Sequence, residues 1–275
     1  MPEPPSRPAW QGVIELPVRE RLPKPRDSGW TMVIDKGLGL HAIDDLMQVA
    51  APSIDVVKLT FGTSAFFAYD VLKEKVRTIT AHGVACMPGG TFQEVAIWQQ
   101  SFDRYLDRAR ELGFNALEVS DGTIEMDPRT RAEAIGKAVK AGLRVLSEVG
   151  KKDPNDAQPM AVLAEQVNAD LDCGAFMVIM EAREAGKGVG IYDASGLPKE
   201  AEIDAFLGGV KDPGRILWEA PLGPQQRYLV LRFGPNVNLG NIPPEDILAL
   251  EALRSGLRGD TLKRAWLANR EFHRP

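Results

Sequence analysis

The feature that most limits what this chain can become is an alternation. Short apolar runs succeed one another along the sequence, separated by stretches of helical character, and no two consecutive runs lie close enough to form a hairpin. Residues 31–37 (TMVIDKG), 54–64 (IDVVKLTFGTS), 84–90 (VACMPGG) and 116–122 (ALEVSDG) read as strands. So do 144–152 (RVLSEVGKK), 175–183 (AFMVIMEAR), 215–220 (RILWEA) and 236–242 (NVNLGNI). Strands that cannot pair through a tight turn need a crossover, and a crossover makes neighbours parallel. Eight such repeats in 275 residues predict an α/β fold closed as a single (β/α)8 TIM barrel, which typically takes ~250 residues.

Helix signals fall between the strands. Asp127 and Pro128 supply an N-cap and an N1 proline, with Gly142 at the far end. Residues 41–51, 70–82 (Asp70 as the cap), 159–171 and 243–254 read as helices. Thr91 and Glu94 form a T-x-x-E capping box opening a helix that runs to about Leu112. Residues 1–30, with seven prolines before position 28, form an arm or cap ahead of a barrel over 31–261, and 262–275 form a tail. The stretch 184–196, with five glycines or serines, suits a mobile active-site loop.

Composition then excludes several functions. The net charge is −5 with no basic cluster, so nucleic acid and anionic membranes are not expected as partners. No run approaches the ~18 apolar residues of a membrane span. Cys86 and Cys173 stand far apart in no C-x-x-C pair, which fits a reducing cytoplasm. His41, His82 and His273 make no H-x-x-x-H arrangement, so histidine-rich transition-metal chemistry is not expected. Neither GxGxxG nor GxxxxGK[ST] occurs, which weighs against a nucleotide-binding open sheet.

In such a barrel the chemistry gathers where the strands end. Those ends carry Asp35 and Lys36; Lys58; Gly89, Gly90 and Thr91; Glu118, Ser120 and Asp121; Glu148, Lys151 and Lys152; Glu181 and Arg183; Glu219; Asn238 and Asn241. So much buried charge is costly unless paired with something, and a shared ligand accounts for the whole set. The carboxylates suit a hard divalent ion such as Mg2+. The lysines at 36, 58, 151 and 152, with Arg183, suit an anionic substrate and include a candidate proton donor. Gly89-Gly90-Thr91 at a helix amino end, and Gln225-Gln226 after the seventh strand, suit a phosphate.

These stretches also carry a family likeness. DKGL (35–38), VKLTFGTS (57–64), PGGT (88–91), LGFNALEVSDGTI (112–124), SEVGKKDP (147–154), EAREAGKGVGIYD (181–193), NVNLGNI (236–242) and LEALRSGLRGDT (250–261) resemble phosphosulfolactate synthases, in unbroken order from about Thr31 to Thr261. The resemblance implies a Mg2+-dependent lyase that joins sulfite to phosphoenolpyruvate, giving (2R)-2-phospho-3-sulfolactate on the route to coenzyme M. It implies metal held by Glu118, Asp121 and Glu148, and protonation by a lysine of the Lys151-Lys152 pair with its pKa lowered by burial and neighbouring cations. Lys58 and Arg183 would act with it. Lys36, Gly89, Gly90, Thr91, Ser120, Gln225, Gln226, Asn238 and Asn241 would bind the small anionic substrates. A homo-oligomer is expected, with Trp10 and Trp266 as candidate contacts. Gly223 stands where a lysine is expected. A different nucleophile or phosphorylated acid, or a non-catalytic stress-related barrel, therefore stand as alternatives.

Overall fold

The computed structural model describes residues 9–268; the prolines at 2, 4, 5 and 8 and His273 lie outside the described residues. Strands β1 (Thr31–Asp35), β2 (Val56–Leu59), β3 (Ala85–Pro88), β4 (Ala116–Val119), β5 (Arg144–Val149), β6 (Met177–Met180), β7 (Ile216–Glu219) and β8 (Asn238–Ile242) follow in chain order. They form one sheet in the order β3-β2-β1-β8-β7-β6-β5-β4, with every paired neighbour parallel. β3 and β4 close the circle side by side without a ladder among the described residues. Asn115 bridges the seam, its Oδ1 accepting from the Cys86 amide at 2.8 Å. The fold is the expected TIM barrel, nearly closed.

The helices are α1 (Leu40–Ala50), α2 (Tyr69–Ala81), α3 (Gly90–Trp98), α4 (Phe102–Leu112), α5 (Pro128–Lys140), α6 (Met160–Asp172), α7 (Glu200–Gly209), α8 (Gly223–Phe233), α9 (Ile247–Arg254) and α10 (Gly259–Ala268). Asp127 caps α5, accepting from the amides of Arg129 and Thr130. Three expectations need correction. The helix from Thr91 to Leu112 is broken in two at Gln100, whose φ of 53° leaves the helical region. Thr91 and Glu94 make no capping box, because α3 starts at Gly90 and Glu94 turns into the barrel wall. Ala68, rather than Asp70, precedes α2.

Outward strand residues such as Val33, Val57, Val178 and Trp218 pack under the helices. The inward set near the strands' amino ends is apolar: Met32, Val56, Ala85, Ala116, Leu146, Met177 and Leu217. The proline-rich arm closes that end. Trp30 joins the interior cluster and packs on Phe176 at 4.8 Å between ring centroids. Arg21 grips Glu251 with two 2.9 Å bonds, and Arg26 pairs with Asp55 at 2.7 Å. Buried pairs with this geometry fix the arm's register on the barrel. No described helix is long and apolar enough to cross a membrane.

Candidate active site

Strand alternation carries the inward face from Val56, Ala116, Leu146, Ile179 and Leu217 to the residues two positions on: Lys58, Glu118, Glu148, Glu181 and Glu219. All five are buried, and all line one cavity of about 320 Å³ at the carboxyl mouth, with Gly90, Thr91, Lys152, Arg183 and Asn241. Lys58 stands among the carboxylates, its Nζ 3.0 Å from Glu219, 3.2 Å from Glu118 and 3.6 Å from Glu148. Lys152 reaches over the mouth, 3.5 Å from Glu148 and 3.8 Å from both Glu94 and Glu181, and donates to Thr91 Oγ1 at 3.1 Å.

Two glycines make room for this. A Cβ on Gly90 would lie 2.5 Å from Glu118 Oε1 and 2.4 Å from Ser120 Oγ. One on Gly122 would press the Lys152 side chain from 3.2 Å. Asn241 enters by another device. Thr31 pairs with Leu239 but Val33 pairs with Ile242, so β8 holds one residue more than β1 over the same span. Asn241 takes up the extra residue at φ 52°, and the bulge re-aims its side chain into the cavity.

Glu94, Glu118, Glu148, Glu181 and Glu219 face two ammonium groups, so negative charge is in surplus. Burial and the neighbouring Glu148 push the Glu118 carboxyl up to about 8, against the pull of Lys58. Burial, with Glu148 and Glu219, likewise holds Glu181 well above the ordinary carboxylate range. Glu148 goes the other way: burial opposes its charge, but Lys152 and Lys58 hold it ionised. Both lysines are kept protonated. Burial would lower them, and the surrounding glutamates more than reverse it. Lys152 therefore departs from the lowered pKa expected of a proton donor, because its near neighbours are carboxylates.

Glu118 Oε2, Glu148 Oε1 and Glu181 Oε2 are buried and make no hydrogen bond, with only an ammonium group at 3.2, 3.5 and 3.8 Å respectively. Glu148, Glu181 and Glu219 each offer an oxygen within 4.8 Å of the others. Buried oxygens without hydrogen bonds in a carboxylate-rich cluster are what a hard cation would satisfy.

The expected site residues separate into those at the cavity and those behind it. Lys58, Gly90, Thr91, Glu118, Glu148, Lys152, Arg183 and Asn241 line it; Lys36, Gly89, Ser120, Asp121, Lys151, Gln225, Gln226 and Asn238 do not. Asp121 is turned away, held by Arg131 at 3.0 Å and Lys151 at 3.1 Å. Lys151 also donates to the carbonyls of Asp121 and Ile124. Ser120 Oγ donates to Glu94. Gln225 holds the 184–196 excursion through the carbonyls of Gly186 and Gly196, and Gln226 donates to Ala220 O. Lys36 is exposed outside the cavity, and Gly89 bonds to Leu59 O below the rim. Asn238 sits at the opposite end of β8, accepting from the Trp30 amide. Glu181 and Glu219 belong to the carboxylate cluster, and the strand-end positions already marked them. Glu94 gave no such signal, since its spacing from Thr91 matches a cap.

The comparisons with known proteins agree with this barrel and its mouth. A model of the family described as (2R)-phospho-3-sulfolactate synthase (ComA) matches residues 19–260. Phosphosulfolactate synthase from Methanothermobacter thermautotrophicus is 46% identical over 244 residues, covering 88% of this chain and 94% of that protein. Its counterpart from Methanocaldococcus jannaschii is 42% identical over 235 residues, covering 85% and 93%. Among solved structures, 3-hexulose-6-phosphate synthase from Salmonella typhimurium has a TM-score of 0.54 at 15% identity, covering 83% of this chain and all of that one, a likeness of fold. Matched from the arm through the last barrel helix, the chain belongs to the (2R)-phospho-3-sulfolactate synthase family.

Proposed function

We propose that the protein adds sulfite to phosphoenolpyruvate in a Mg2+-dependent reaction, giving (2R)-2-phospho-3-sulfolactate. The observation that carries this reading is the pairing, in one cavity, of a carboxylate cluster with a protonated lysine: Glu148, Glu181 and Glu219 beside Lys152. Glu148, Glu181 and Glu219, with Glu118 next to them, would hold the ion, and Mg2+ bound there would supply a Lewis acid against charge growing on the substrate carboxylate.

In the reaction the sulfite sulfur forms a bond to the methylene carbon, and the alkene electrons move onto the carboxylate as an enolate. The central carbon then takes a proton, and no bond to the phosphoryl group breaks. Lys152 is the residue placed to deliver that proton. It is charged at rest, it faces the cavity, and Thr91 Oγ1 with the space over Gly122 fixes its Nζ. Lys58 screens the glutamates from one another, keeping them gathered without a ligand. Gly223 opens α8 outside the cavity lining, and its position where a lysine is expected favours a second reading, the same chemistry on a different phosphorylated acid.

Incubation with phosphoenolpyruvate, sulfite and Mg2+ should give a sulfonated phosphoacid by mass spectrometry, with reversible loss of product in EDTA. Absence of product at high protein concentration would refute the reading. Product formed undiminished in EDTA would remove the metal from it.

A further inference from the structure

Two anions must meet in this cavity, and its cations are not equally available to them. Lys58 is buried among Glu118, Glu148 and Glu219. Lys152 is occupied by Glu94, Glu148, Glu181 and Thr91. Arg183 is different. It lines the same cavity, its side chain is exposed, and among the described residues no carboxylate lies within ion-pair distance of its guanidinium. Its one side-chain hydrogen bond is a long one, 3.4 Å from Nη1 to the Lys152 carbonyl.

The backbone holds this arginine in place at a cost. Arg183 has φ 60°, a left-handed conformation that is strained for a non-glycine residue. The turn lets its amide donate to Glu181 Oε1 at 2.6 Å while Glu181 Oε2 faces the carboxylate cluster and Lys152 without a hydrogen bond. Glu181 is thus oriented by the residue whose guanidinium sits at the rim. A planar fork of N–H donors suits an oxyanion better than a point charge does.

We propose that Arg183 is the docking group for the sulfur oxyanion, the nucleophile, while the phosphorylated acid occupies the carboxylate end of the cavity. The assignment rests on the reaction proposed above and adds to it the division of the cavity between its two anions. The floor, rich in glutamate, accepts an anion only together with a cation. The rim accepts one directly.

The test uses the full chain as wild type, Arg183→Gln and Arg183→Lys. In steady-state assays with Mg2+, the glutamine variant should raise the KM for sulfite by at least ~10-fold, the loss expected for a charge-assisted hydrogen bond. Its KM for phosphoenolpyruvate should stay close to wild type, and the lysine variant should fall between, keeping charge without the fork. A rise in the phosphoenolpyruvate KM alone would place Arg183 at the phosphoryl group and overturn the assignment, as would unchanged constants. A second measurement needs no turnover: thermal denaturation with sulfite alone. Wild type should gain stability from sulfite and Arg183→Gln should not. Where wild type forms no product yet shows that sulfite effect, the reaction falls and the docking site stands. Where wild type turns over but sulfite stabilises both proteins equally, the docking site falls and the reaction stands. No sulfite effect on either protein, without turnover, refutes both.

Discussion

The two ends of the barrel interior are built on the same strands and differ completely. Val56, Ala116, Leu146 and Leu217 face inward near the amino ends and pack with Trp30, Met32 and Met177 as an apolar plug. Two residues further on, one pleat of about 7 Å, the same faces present Lys58, Glu118, Glu148 and Glu219. Burial stabilises the first set by roughly 1.5–3 kcal/mol per large side chain. The second set is buried as deeply and gains nothing comparable, since unpartnered carboxyl oxygens forfeit hydration. One region holds the molecule together and the other is held by it. Variants in the two regions should therefore fail in opposite ways.

The largest effect belongs to the mouth. Lys152→Met should lower kcat by ~10²–10⁴, the range for removing a general acid, while circular dichroism and melting show a folded protein. Lys151→Met should lose far less, because that ammonium is tied to the Asp121 and Ile124 carbonyls behind the cavity. Equal losses in both would erase the distinction between lining and supporting lysines. At the plug the pattern should invert. Leu217→Ala should cost ~2–5 kcal/mol of stability, as buried leucine truncations do, with kcat and KM of the folded protein unchanged. A catalytic defect there without a stability defect would show that the two ends are not separable.

This division also explains what could be read from the sequence. Lys58, Glu118 and Glu148 were legible because each sits in a run whose alternation gives its direction, and the cavity contains all three. Asp121 was not, since it lies past the end of β4, where alternation stops, and Arg131 from α5 claims it. Asn238 and Asn241 look equivalent on paper. Only the bulge, a product of pairing with β1, separates a cavity residue from one at the base. Glu94 obeys the local rule for a cap and is diverted by tertiary partners, Ser120 Oγ and the amides of Thr123 and Ile124. The eight strands survive such ambiguity because each is specified by several apolar residues.

The pH dependence of stability should separate the ends next. Glu118, ordinarily near 4.5, is raised to about 8 in the fold, so the native state binds a proton that the unfolded chain has released. Stability from that proton is complete below 4.5 and is lost as pH rises through 8, at up to ~1.4 kcal/mol per pH unit. Glu181 acts in the same direction. Glu148, lowered by Lys152 and Lys58, contributes above 4.5 and is constant over this window. The metal-free protein should thus lose melting temperature between about pH 5 and 8, and Mg2+ should restore it most at the upper end, where the carboxyls no longer need to shed protons. The plug, having no titratable group, predicts no slope. Metal-free stability that climbs to pH 8 would mean the glutamates are already neutralised by their lysines.

The smallest effect is the most discriminating. In Glu181→Gln the side-chain carbonyl can still accept from the Arg183 amide, and the new amide can donate to Glu148 Oε1, which makes no hydrogen bond and has only the Lys152 ammonium at 3.5 Å. The change removes one buried acidic group from a cluster with too many and leaves a donor that no longer depends on a bound proton. The metal-free variant should match or exceed wild type by up to ~1 kcal/mol, as expected when a buried polar group gains its partner. The same variant should lose much of the stabilisation that Mg2+ gives wild type, read as melting temperature against Mg2+ concentration, because one of three gathered oxygen donors has become a weaker ligand. A buried glutamate serving structure alone would give the reverse, a less stable protein with an intact response to the ion. The sign of two melting shifts therefore decides whether Glu181 is there for the fold or for what the fold holds.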